Sequence, residues 1–382
     1  MIPVDAVLDA FINANILFCF AYVIWVAARV TLARIGLKNA FATQLKLLNT
    51  VFVTIVCAPL IAAAFGSLQS AGLAKGLNLN LSDFVVSYYL NGGFEMKASA
   101  FEELVALRNT FTLNVVSGVG WLAWAVIGTF LAGFAIGTVR LFFSVFCLHR
   151  IVAGSYAWRR FGRISLCLSD RTMVPFSTRG LWTYYVVLPS HMLANDHELK
   201  VSIAHEFQHI RQGDLEWEIL LEALKPFFFL NPAYHAWKRQ VEELREFNCD
   251  SAVLGRGLID IRVYCDTLLS VCQKTLRRDR DFVIAVPKVT LVTADRSALR
   301  EGKRSFLENR ILSLLNTRQL AHPRIVFLAL VLPLVTAIAL FAVAIQRPAD
   351  WSQDRLMLST VVNLERLDHI NRMSTFGRIR NE

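Results

Sequence analysis

Four long runs without a charged residue constrain this chain more than any other feature. Ala10 to Ala28 lies between Asp9 and Arg29, and a second run fills Leu47 to Ala74. Asn109 to Val139 follows Arg108, and Ile325 to Ile345 lies between Arg324 and Arg347. About 20 apolar residues of helix cross a bilayer, because in lipid each backbone N–H and C=O must be satisfied within the segment. Burying four such runs in a soluble core would need a much larger protein around them. Composition agrees: hydrophobic residues are 55% of the chain, and charged residues, at 18%, fall below the usual quarter. The expected spans are about 10–28, 47–68 and 112–139 in a membrane region 1–146, with a fourth at 323–346. Asn109 to Val139 exceeds one span, so tilt or an extension into the interface is expected there.

Loop charge predicts orientation. Arg29, Arg34, Lys38 and Lys46 link the first two spans with no acid among them, which marks that loop as cytoplasmic. Asp5 and Asp9 precede the first span, and the loop 69–109 mixes Lys75, Lys97 and Arg108 with four acids, so both face outward. Arg140, Arg150, Arg159, Arg160 and Arg163 then place residues 147–322 in the cytoplasm. The tail 347–382 is extracytoplasmic, and its sequence suits an interfacial helix or a contact for a partner. Without a basic leader or a small-residue cleavage site, the first span is expected to stay as an anchor. The formal charge of +10 tracks the membrane ends and forms no aromatic-interleaved patch, so no direct nucleic-acid partner is expected.

The chemistry lies between the third and fourth spans. Asn195 to Gln212 reads as one helix, with Asn195 or Asp196 as cap and Gly213 as stop. Leu199, Ile203, Phe207 and Ile210 form its apolar stripe, and His205 and His209 face away from that stripe. Two histidines four apart suit one zinc ion, and Glu206 beside them can take a proton from water at the metal. The alternative is a solvated polar face that happens to carry two histidines. A second helix, Asn231-Pro232 to Leu254, carries Trp237, Val241 and Leu244 on one face and Glu246 with Asp250 on another. Glu246 would complete a two-His, one-Glu site, and Asp250 could accept the outer N–H of a ligand histidine. Glu242 and Glu243 crowd the same helix, so spacing alone does not single out Glu246.

The run from Pro175 to Leu254 resembles the BlaR/MecR-type integral-membrane zinc metallopeptidases. Matching elements are Pro175-Phe176, Val186-Val187-Leu188-Pro189, His205-Glu206-Phe207-Gln208-His209, Asp214, Asn231-Pro232 and Glu246-Phe247-Asn248-Cys249-Asp250. The resemblance extends to the membrane layout, about residues 10 to 345. It implies one Zn2+ per chain held by His205, His209 and Glu246, Glu206 as catalytic base, and Asp250 behind a ligand. The implied fold is an α-helical membrane protein of four transmembrane helices with an inserted α+β zincin-like metallopeptidase domain. It also implies a multi-pass protein of the bacterial cytoplasmic membrane. The resembled receptors carry a penicillin-binding sensor domain after their last span; such a domain is not expected here, and no Ser-x-x-Lys occurs.

Within that domain Ile164–Ser169 and Trp182–Leu188 read as strands. In zinc peptidases of the resembled architecture an edge strand pairs with an extended substrate, and the second strand is the candidate for it, the alternative being a purely structural strand. Leu224 to Leu230 is too short to span and should rest against the membrane or its helices. The seven cysteines form no close pairs, so no disulfide framework is expected; Cys249 reads as a packing residue. Tyr234 and His235 are candidate donors to a reaction oxyanion. Expected partners are the lipid bilayer, a cytoplasmic protein substrate such as a transcriptional repressor or the chain itself, and a second copy of the chain. Three functions fit: a signalling peptidase, a housekeeping protease of the HtpX or CAAX-processing kind, and a non-catalytic transducer with a structural metal.

Overall fold

The computed structural model describes residues 4–72, 80–93, 95–278, 289–290, 306–315, 323–346 and 353–373. In chain order the helices α1 (Val4–Arg34), α2 (Phe41–Ser70), α3 (Leu81–Leu90), α4 (Ala98–Ser117) and α5 (Trp121–Ala153) come first. Strands β1 (Tyr156–Phe161), β2 (Ile164–Ser169), β3 (Phe176–Arg179) and β4 (Tyr184–Pro189) follow, then a 3-10 turn over Ser190–Ala194. Helices α6 (Asp196–Gln212), α7 (Asp214–Leu224), α8 (Pro232–Leu254) and α9 (Ile261–Arg278) complete the middle of the chain. Strand β5 (Val289–Thr290) and helices α10 (Phe306–Leu315), α11 (Pro323–Ala344) and α12 (Gln353–Met373) close it.

Helices α1, α2, α5 and α11 are each long and apolar enough to cross a membrane. Protein buries only 11 to 28% of the residues in their apolar windows, so most of that surface needs a nonaqueous neighbour. The third span differs from expectation. The charge-free run from Asn109 is divided: α4 ends at Ser117 and α5 starts at Trp121. Gly118 and Gly120, at φ +64° and +87°, make the break in a backbone region that favours glycine. The apolar helix thus runs over Trp121–Ala153, later than the expected 112–139.

The chain forms two compact units. One comprises Met1–Ile24, Thr50–Phe130 and Ala329–Glu382. In it α12 packs on α3 and α4 around Val86, Ala98, Phe101, Leu358 and Val362. Arg355 pairs with Asp83 at 3.0 Å, and Glu365 accepts from the Ser99 amide at 2.9 Å. Helices α3, α4 and α12 therefore form a small helical cluster, with apolar burial as its main support.

The other unit comprises Trp25–Asn49 and Leu131–Leu328, which reaches beyond residues 147–322 to take in ends of all four apolar helices. Its five-stranded sheet has the order β1-β2-β4-β3-β5. The β2–β4 pair is parallel, and the other three pairs are antiparallel. This corrects the expectation for the second strand: β4 is central, with β2 on one side and β3 on the other, so it has no free edge for a substrate. Trp182 stands outside the strand and is exposed. The β3 segment escaped notice because it is four residues long; β1 carries Arg159 and Arg160, which read as a membrane-end signal. The turn after α7 lies against α5: Phe227 packs edge-on to Phe134, with ring centroids 5.0 Å apart. A Cβ on Gly133 would sit 2.1 Å from the Phe229 ring, and one on Gly137 would sit 3.1 Å from Pro226. Only glycine allows that approach.

Candidate metal centre

Helix α6 starts where the Asn195 side chain accepts from the amides of His197 and Glu198, at 3.1 and 3.3 Å. It ends at Gly213, φ +73°, a left-handed cap. Its stripe of Leu199, Ile203, Phe207 and Ile210 packs on Leu166, Val186 and Leu188 of the sheet. The opposite face is the more deeply buried one: His205, Glu206 and His209 have no exposed surface. A solvated polar face is therefore ruled out.

Helix α8 is capped by Asn231, whose side chain accepts from the amides of Ala233 and Tyr234, and has Pro232 at its first position. Trp237, Val241 and Leu244 are buried along it. Its acids separate clearly. Glu242 pairs with Lys238, and Glu243 pairs with Arg239 at 3.3 Å. Glu246 turns to the histidines, with Oε2 3.5 Å from His205 Nε2 and Oε1 3.6 Å from His209 Nε2.

The tautomers follow from the outer partners. Tyr264 donates its only proton to Asp250 Oδ1 at 2.6 Å, so its oxygen accepts from Nδ1–H of His205 at 2.8 Å. Nδ1–H of His209 donates to Asp214 Oδ2 at 2.8 Å. Burial lowers the pKa of both imidazoles, that of His205 to about 3, so both are neutral at pH 7. The two Nε2 atoms therefore carry lone pairs, and they face each other at 3.0 Å. Two lone pairs at that distance repel unless a cation lies between or beside them. Nitrogens sharing one tetrahedral zinc stand about 3.3 Å apart, so the donor set of two imidazoles and the Glu246 carboxylate fits a zinc ion with little adjustment.

Among the described residues, neither oxygen of Glu206 nor the nearby Ser177 hydroxyl on β3 makes a hydrogen bond of good geometry. Burial raises its pKa to about 8, partly offset by the Ser177 hydroxyl and amide. Burial also raises that of Glu246, with Arg310 opposing. Asp250 is the reverse case: burial works against its charge, but the Arg310 guanidinium outweighs it and holds the pKa below the usual range.

Cys249 lies nearer the site than its helix position suggests. Its Sγ groups with one ligand nitrogen from each histidine, all within 4.8 Å of one another. The approach is to Nδ1 of His205, at 3.5 Å, which is the nitrogen already engaged by Tyr264. Its thiol also donates to the His205 carbonyl, and burial raises its pKa well above 9. Cys249 approaches the nitrogen of His205 that Tyr264 engages, whereas Glu246 lies near both Nε2 atoms, so we favour Glu246 over Cys249 as the third donor.

Thus the structure brings His205, Glu206, His209, Glu246 and Asp250 together. It keeps two candidates out: the Tyr234 hydroxyl donates to the Leu221 carbonyl, and His235 Nε2 meets the Phe229 carbonyl at 3.0 Å. Sequence reasoning assigned no role to Tyr264 or Arg310. Arg310 binds Asp250 through Nε at 2.7 Å and Nη2 at 2.5 Å, and its Nη1 lies 3.1 Å from Glu246 Oε2. Neither residue belongs to a local motif. Asp214 did carry a signal, since it follows directly on the Gly213 cap of the histidine helix. Behind it, Arg245 and Lys238 hold Glu218 at 2.7 and 3.0 Å, tying α8 to α7.

The Peptidase M56 family, described as BlaR1 peptidase M56, matches residues 10–290, and the chain belongs to that family. No curated protein matches the chain significantly.

Proposed function

We propose that this M56-family chain is a zinc-dependent endopeptidase embedded in the bacterial cytoplasmic membrane, with its site facing the cytoplasm. Its substrate is a regulatory protein, such as a repressor, or the chain itself, cut when an outside event moves the membrane helices. The observation that carries this reading is the pair of opposed Nε2 lone pairs, flanked by the Glu246 carboxylate, on the helix that also buries Glu206. A histidine helix packed on a mixed sheet, with Glu206 close to β3, supports a zincin-like domain.

His205, His209 and Glu246 would hold the ion, and Asp214 and Tyr264 would keep both imidazoles turned toward it. Bound zinc supplies Lewis acidity, which activates water and polarises a carbonyl. Burial holds the Glu206 pKa up at about 8, and the positive charge of an ion held by these ligands would favour its ionised form. Glu206 then accepts the proton of the attacking water and later delivers it to the leaving nitrogen.

One observation weighs against the housekeeping reading. HtpX-like enzymes place membrane helices between the histidine pair and the later glutamate. Here the described chain between His209 and Glu246 holds only the 11-residue α7, the Phe-rich turn and the start of α8. A purely structural metal would leave Glu206 without a task. Proteomics of cytoplasmic N-termini, in cells carrying the intact chain or Glu206→Gln, tests the proposal. New termini should appear only with the intact chain; identical sets would contradict peptidase action.

A further inference from the structure

Arg310 is 1% exposed, yet it comes from α10, about 60 positions from the ligands it touches. It approaches two carboxylates one helical turn apart on α8. Nε and Nη2 grip Asp250, and Nη1 reaches the Oε2 of Glu246. A guanidinium is a rigid planar fork, so fixing two nitrogens on Asp250 also fixes where the third points. That third nitrogen draws Oε2 to one side and leaves Oε1 toward His209. Without the cation, two buried carboxylates on one helix face would repel each other, and Glu246 would lose its defined rotamer.

The same short helix is anchored by packing. It lies on α8 and α9, with Leu314 in the core that contains Val253, Leu268 and Val271. Phe306, under the Arg310 guanidinium, stacks obliquely on Phe247, the neighbour of Glu246.

We propose that Arg310 is a positioning residue through which docking of α10 on α8 sets Glu246 at the metal site. The inference rests on the metal-site reading above and adds a route for its regulation. A shift of α10 withdraws the fork, frees Glu246 and loosens Asp250, which supports His205 through Tyr264, and so weakens the site.

The test uses the full chain in detergent micelles with Glu206→Gln throughout, so that no self-cleavage intervenes. Cobalt(II) binding is followed by its visible absorption. Arg310→Gln should weaken cobalt affinity roughly 10–100-fold, the range for an outer partner of a ligand, and should alter the absorption bands. Arg310→Lys should recover part of the affinity. Leu314→Ala, which removes packing from α10 and touches no ligand, should weaken binding when Arg310 is present. In the Arg310→Gln background it should add nothing, because the two act through one contact. Should Arg310→Gln fail to fold, Arg310→Met with Asp250→Asn removes the fork without leaving a buried unpaired charge, and should show the same loss relative to Asp250→Asn alone. Unchanged affinity and bands in the Arg310 variants, or additive effects with Leu314→Ala, would overturn the proposal. Failure of the parent chain to bind cobalt would instead overturn the metal-site reading.

Discussion

The imidazoles of His205 and His209 face each other with their Nε2 atoms 3.0 Å apart, while the outer nitrogens of both are already committed. The geometry is unfavourable for a metal-free pair and suitable for a shared cation. It explains why so polar a helix face is the buried one.

The outer acceptors should matter for metal affinity. Asp214→Ala and Asp250→Ala should each weaken zinc binding roughly 10–100-fold without abolishing it, because they orient ligands and do not touch the ion. Competition with a chelator measures this. Affinity equal to that of the parent would remove the residue from the site's support.

On these two groups the metal-free protein should be most stable below about pH 6.5 and should lose stability from there to pH 8. Burial holds His205 neutral down to about pH 3, so the unfolded state binds more protons between pH 3 and 6.5, and stability rises across that window. Glu206 behaves oppositely. It stays protonated to about pH 8 when folded and ionises near 4.5 when unfolded, so stability falls from pH 4.5 to 8. Thermal unfolding of apo Glu206→Gln should lack most of the fall between pH 6.5 and 8. An identical fall in parent and variant would show that the carboxylate is not held protonated.

The turn after α7 should depend on Gly133. Gly133→Val should cost about 1–3 kcal/mol by overpacking against Phe229, and Phe229→Ala should restore part of it. Denaturation of the three variants checks the pair. Equal stability of Gly133→Val and parent would mean that the turn does not rest on α5.

Much of this was legible from the residues. Charge-free runs are long and one-dimensional, so the four membrane-length helices followed from counting. The two site helices carried local signals, Asn195 with Gly213 and Asn231 with Pro232, and these are where α6 and α8 are capped. Position in the sheet was not legible. Strand β4 reads as strongly as any edge strand, and its central place depends on β3, four residues of Phe-Ser-Thr-Arg with no alternation to detect. The same limit hid Tyr264 and Arg310, whose roles arise from packing between helices distant in sequence. The break at Gly118 was visible as two glycines, but hydropathy averages over it.

Membrane orientation is open to a direct check. The positive-inside count places both ends outside and residues 147–322 inside. A reporter after Glu382 should behave as extracytoplasmic, and one inserted near Gly302 as cytoplasmic. A cytoplasmic result after Glu382 would remove one span and with it the proposed link between an outside event and the site.

The central claim is that zinc is held by two imidazoles and the Glu246 carboxylate. Zinc K-edge X-ray absorption on the Glu206→Gln protein tests it most directly, because the base is lost while every ligand remains. The account predicts a nitrogen and oxygen shell at about 2.0–2.1 Å with no sulfur, and loss of the metal in Glu246→Ala. A sulfur scatterer at about 2.3 Å would assign the third ligand to Cys249 and contradict the account.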